Sequence, residues 1–173
     1  MSAVSSRLLL RGGALVAIAG GLLRAAGSFA PAAIATNGIR ESLYVTIDVT
    51  LAVGLVALYT QLRKLGAWWS TAGFLLAIAG IIVIRTNRFV TSADLYPAGA
   101  LAIACGIVLL TLDGWRHRLL AGWIPAAFVI STLVGVLATL IPGGSVLFVV
   151  SGVMFGLAFA GIGVDLLAAP IAR

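Results

Sequence analysis

Five acidic residues, one histidine and one cysteine are nearly all that this chain of 173 residues offers toward acid–base, metal or sulfur chemistry. A lone histidine and a lone cysteine cannot build the usual zinc or haem site. Cys105 has no cysteine to pair with inside the chain, and its presence says nothing about redox compartment. No serine or cysteine stands at motif spacing from His117, and no phosphate-cradling glycine loop is present, so ATP coupling would require another chain. No metal, no cofactor and no catalytic residue are therefore assigned, and an enzyme is the less favoured class.

Charge is scarce as well. Charged residues make up 9% of the chain, against about 25% in an ordinary soluble domain. From Leu119 to Val164 there is no ionisable side chain, long enough to cross a ~30 Å hydrocarbon layer twice at about 1.5 Å per residue. Pro142-Gly143-Gly144 stands where such a hairpin has to turn. With 62% hydrophobic residues, a water-soluble fold of this size could not hide its apolar surface.

What is present is a series of apolar runs at 8–29, 43–62, 66–84, 95–112, 123–141 and 146–167. They are apolar all round rather than alternating, which selects helices over barrel strands. The expected fold is an all-α integral membrane protein, a compact bundle of about six transmembrane helices forming a single domain over residues 1–173. Arg7 and Arg11 before the apolar stretch from Gly12, with Ala25-Ala26-Gly27 after it, have the outline of a secretory leader. The segment is read here as the first membrane helix.

The net charge of +6 would suggest nucleic acid in a soluble protein. Here the basic residues lie mostly between apolar runs, the pattern of topology signals beside anionic headgroups, so nucleic acid is not an expected partner. With the N-terminus inside, Arg7, Arg11, Arg63, Lys64, Arg116, Arg118 and Arg173 are cytoplasmic, and Arg24, Arg40, Arg85 and Arg88 lie opposite. This bias predicts a multi-pass protein of the cell (inner) membrane with both termini in the cytoplasm. Trp68, Trp69, Trp115 and Trp123 fall at the inner interface and Tyr44 and Tyr96 at the outer one.

Small residues recur every fourth position, as in Gly13/Ala17/Gly21, Ala98/Ala102/Gly106 and Gly152/Gly156/Ala160, a spacing that lets helix backbones approach in lipid. Gly13-Ala14-Leu15 returns as Gly99-Ala100-Leu101, and Leu76-Ala77-Ile78-Ala79-Gly80-Ile81 returns as Leu157-Ala158-Phe159-Ala160-Gly161-Ile162. The halves 8–86 and 95–168 would then form a 3+3 inverted repeat, as in many transporters. Against this, Ala-Ile-Ala also occurs at Ala17 to Ala19 and Ala102 to Ala104, so a narrow residue alphabet explains the matches equally well.

Ionisable groups within the spans are the informative ones, because a charge near the bilayer centre costs about 3 kcal/mol on insertion scales. Arg24 lies a turn or two inside the outer end of the first helix and Asp48 at a similar depth in the second, so the two are expected to pair. Tyr44 and Asp48 share a helix face at i, i+4 spacing. Arg40, Glu41, Arg85, Asn87, Arg88 and Asp94 belong to the same side. One reading is an outward-facing pocket lined by Arg24, Tyr44, Asp48, Arg85, Arg88 and Asp94, handling a small anionic solute or lipid through guanidinium groups. The structural alternative is a helix-to-helix ion pair with arginines snorkelling to membrane lipids. On the inner side Asp113 and Asp165, the latter near the end of the last helix, read as interfacial groups, and His117 as part of a basic loop.

Three function classes follow: a small solute-handling protein with a transport role, a non-catalytic subunit or homo-oligomer of a larger membrane assembly, and a lipid-modifying intramembrane enzyme using Asp48, Asp94 or Glu41. Gly161-Ile162-Gly163-Val164-Asp165 is one residue longer than the glycine-rich aspartate motif of intramembrane aspartyl proteases and has no partner motif, so that activity is set aside.

Overall fold

A computed structural model describes residues 3–29, 37–66, 68–90 and 94–169. They form six long helices: α1 Ala3–Gly27, α2 Asn37–Leu62, α3 Trp68–Val90, α4 Tyr96–Arg116, α5 Trp123–Leu140 and α6 Ser145–Ala168. All six are long and apolar enough to cross a membrane, and the chain is an all-α, multi-pass membrane protein.

Each helix runs antiparallel to its sequence neighbours. The α1 start, the α2–α3 and α4–α5 turns and the α6 end therefore share one face of the bundle, called here the tryptophan end because Trp68, Trp69, Trp115 and Trp123 cluster there. The opposite face, which carries Arg24, Arg85, the α1 and α3 ends, the α2 and α4 starts and the α5–α6 turn, is the arginine end. The turns follow their residues. Gly66 takes a left-handed φ of 75° to close the short 3-10 turn Arg63–Leu65, and Gly143 takes φ 80° between α5 and α6. Pro97 and Pro125 sit in first helical turns, where the missing N–H costs nothing.

Several helices overshoot the expected spans. The 26 residues of α2 rise about 39 Å, more than the ~30 Å hydrocarbon layer, so the polar first turns from Asn37 to Glu41 continue the helix into the headgroup region. The same applies to α3 beyond Ile84. Within α2, Ser42, Thr46 and Thr50 turn their hydroxyls back onto carbonyls one turn earlier, which removes the cost of polar groups in an apolar helix.

Backbone proximity organises the packing. α1 lies against α6 with Gly21 against Gly156 and Gly163 against Ala14, and α3 lies against α4 with Gly73 against Gly106 and Gly80 against Gly99. A Cβ at Gly73 would stand 2.8 Å from the Gly106 carbonyl oxygen, so side chains there would push the backbones apart. α2 packs on the other side of α1, with Gly54 admitting Ala17 and Phe159. α5 packs on α6 through Phe128, Phe155 and Phe159 and through reciprocal 2.8 Å bonds in which Ser131 and Ser151 each donate to the other's carbonyl. The α3–α4 pair touches the remaining four helices more lightly, at α2 and at α5. Among the contacts that seat it, the Tyr59 and Phe74 rings stack at 4.4 Å.

Candidate functional site

The arginine end gathers charge because α2 and α3 bring their polar terminal turns side by side. Arg85 of α3 donates from Nε to Asp48 Oδ2 at 2.5 Å, places Nη2 on the same oxygen, and donates from Nη1 to Glu41 Oε1 at 3.1 Å. Glu41 and Asp48 are two helical turns apart, which puts Asp48 about 10 Å deeper. One guanidinium thus spans two levels of α2. The network is graded in exposure, from 23% at Asp48 through 28% at Arg85 to 43% at Glu41.

Sequence spacing paired Asp48 with Arg24, and the structure pairs it with Arg85. Arg24 points from α1 toward α6 instead. Its Nη2 is 3.6 Å from the place a Cβ on Gly152 would take, a place already filled by the Ser28 side chain. Ser28 donates to the Arg24 carbonyl at 3.0 Å, and Asp48 attracts the guanidinium without contact. Among the described residues the Arg24 guanidinium makes no hydrogen bond or ion pair.

The other expected residues divide. Tyr44 packs part-buried against the core one turn from Asp48. Asp94 accepts from the Tyr96 N–H at 3.0 Å and from Asn87 Nδ2 at 3.4 Å, while Asn87 accepts from the Leu95 N–H at 3.0 Å, so both side chains close the α3–α4 turn. The Arg40 and Arg88 side chains lie outside the described residues.

The tryptophan end holds a second polar cluster that sequence spacing did not reveal. Asp113, expected at the interface, is 4% exposed and accepts a hydrogen bond from the fully buried Ser70 hydroxyl at the start of α3. His117 Nε2 stands 3.6 Å from the other carboxylate oxygen. Serine and histidine flank the aspartate here, whereas nucleophile activation requires the histidine in the middle, so this cluster ties α3 to α4 rather than arming Ser70. Forty-three residues separate Ser70 from Asp113, beyond any motif window. Asp165 accepts from the Ala121 N–H at 2.7 Å and ties α6 to the α4–α5 turn.

No group of three His, Cys, Asp or Glu side chains converges on a metal position among the described residues. Comparison with protein-family models, curated protein sequences and solved structures finds no match.

Proposed function

We propose that this chain binds a small anionic group, a carboxylate or phosphate of a solute or of a lipid headgroup, at the arginine end, with Arg24 as the recognition cation. One observation carries the reading: Arg24 is a half-buried guanidinium in a membrane helix with no carboxylate in contact among the described residues, while Arg85 is already matched by two. A charge held at that depth needs an opposite charge, and a ligand anion supplies it. Ser28 stands beside Arg24 against Gly152, and Asp48 of α2 is near enough to act on Arg24 through its charge. A role in solute transport would follow from such a site, and a place in the cell inner membrane with cytoplasmic termini is supported by the distribution of basic residues.

Titration of purified protein with inorganic phosphate and, separately, with short-chain phosphatidic acid tests it. Arg24→Gln is expected to weaken whichever binds by about tenfold, equivalent to one charge-assisted hydrogen bond of about 1.5 kcal/mol, and to leave the melting temperature within a few degrees. Unchanged affinity for both would remove Arg24 from the site.

A second reading, an assembly subunit or homo-oligomer, is favoured by one exposed face of α1. Leu8, Leu15 and Leu22 alternate there with Gly12, Ala19 and Ala26 at 3.5-residue spacing, a surface suited to close helix pairing in lipid. Recovery only as a monomer after gentle extraction argues against it.

A further inference from the structure

The most strained backbone position outside glycine is Arg118. It is the one non-glycine residue with positive φ among the described residues, at 57°. The reason is local: α4 ends in a Schellman turn, with Leu119 N–H donating to the Gly114 carbonyl and Arg118 N–H to the Trp115 carbonyl, both at 2.9 Å. That motif requires a left-handed residue where Arg118 stands, a position glycine fills without cost and other residues fill at about 1–2 kcal/mol. The Arg118 side chain is exposed and makes no ion pair or hydrogen bond among the described residues, so nothing inside the protein offsets that cost.

Two grooves meet beside it. An apolar one of about 350 Å³ runs between α4 and α5, from Trp115 and Gly122 to Val129 and Ile130. It climbs about 10 Å along α5 into the apolar part of the bundle. It exists because α4 and α5 pack lightly and because Pro125 and Ala126 present little bulk. The other, of about 630 Å³, opens at the tryptophan end around His117, Arg118, Ala121 and Asp165. Trp115 and Gly122 line both, so an apolar slot continues directly into a polar mouth.

The geometry points to a binding site for one anionic phospholipid, with an acyl chain in the α4–α5 slot and the phosphate at Arg118. Charge complementarity selects the occupant. Arg11, Arg63, Lys64, Arg116 and Arg118 are all exposed at this end, while Asp113 is buried on Ser70 and Asp165 is bonded to the Ala121 N–H. Arg118 makes no ion pair among the described residues, so a phosphate arriving there meets a guanidinium that no carboxylate contacts, whereas His117 already stands 3.6 Å from Asp113. The Trp115 indole, amphipathic and set between slot and mouth, marks the depth of the headgroup boundary. This site is separate from Arg24, which lies at the opposite end of α1.

Native mass spectrometry of the whole chain in detergent, with phosphatidylglycerol and phosphatidylcholine of identical acyl chains added in competition, tests the site. Wild type is expected to retain phosphatidylglycerol about fivefold over phosphatidylcholine, the ratio equivalent to about 1 kcal/mol for one basic residue near a headgroup. Arg118→Gly should bring that ratio close to one while melting no lower than wild type, because glycine relieves the strained turn. Arg118→Lys should keep the preference, and Val129→Trp, filling the slot from its lipid-facing side, should lower occupancy by both lipids. Retained preference in Arg118→Gly, absent preference in wild type, or full occupancy in Val129→Trp overturns the proposal. So does loss of preference in Arg24→Gln with Arg118→Gly unaffected, which would put the lipid at the arginine end.

Discussion

Arg85 shows how a single residue in a membrane helix is made tolerable. Two carboxylates from one neighbouring helix accept its donors, so a cation that would resist burial becomes a fastener between α2 and α3. The arrangement predicts an asymmetry. Arg85→Gln removes the cation in contact with the Asp48 carboxylate and should cost about 2–3 kcal/mol, whereas Asp48→Asn leaves Arg85 its bond to Glu41 and should cost about 1 kcal/mol, both moderated by partial exposure. Thermal unfolding followed by tryptophan fluorescence in detergent checks the order, and a costlier Asp48→Asn would contradict it. Part of this was readable beforehand, since charges placed within apolar spans were identifiable from spacing alone. The choice of partner was not. Arg24 lies inside its apolar run and Arg85 just past the end of its own, and the rotation of each helix about its axis decides which one faces Asp48.

At the scale of the helix pair, glycine position matters more than glycine abundance. A Cβ added at Gly12 would meet nothing within 4 Å, while one at Gly73 would meet the Gly106 carbonyl oxygen and the Leu110 nitrogen at 2.8 and 3.0 Å. Gly12→Ala should therefore raise stability by about 0.5–1 kcal/mol, the cost of glycine in a helix interior relative to alanine. Gly73→Ala should lower it by about 1–3 kcal/mol, because two backbones must separate. Equal melting temperatures for the two variants would contradict this packing. Gly21 and Gly106 from the four-residue stripes sit at crossings, while Gly73 and Gly80 of α3, which belong to no such stripe, do so as well. Spacing could not say which helix lies opposite, because a stripe records how closely a partner approaches and not its identity. Helices α5 and α6, nearly featureless as sequence, prove to be joined by Ser131 and Ser151, whose hydroxyls hold carbonyls across the crossing.

For the whole molecule, the two ends differ in how their charges are used. The arginine end neutralises Arg85 internally, and the tryptophan end leaves its basic residues exposed around one buried and one hydrogen-bonded aspartate. If the tryptophan end faces the cytoplasm, the α5–α6 turn is on the outside. Ser145→Cys, in a Cys105→Ala background, should then react with an impermeant thiol reagent on intact cells, and labelling only after permeabilisation would reverse the orientation.

Composition and the lengths of the apolar runs were sufficient, without any structure, for six membrane helices and, among the described residues, for the end of the bundle at which the charges lie. The physical reason is that hydrocarbon admits no unpaired backbone polar group, so an all-apolar run of about 20 residues has little choice but to be a spanning helix. Tertiary structure alone decided that Asp48 pairs with Arg85, that Arg24 is left facing Gly152, that Asp113 is buried on Ser70, and that α4 and α5 part to leave a groove. Those outcomes depend on helix rotation and neighbour choice. In a bundle whose helices are apolar on every side, they are set by small differences in backbone approach between residues far apart in the chain.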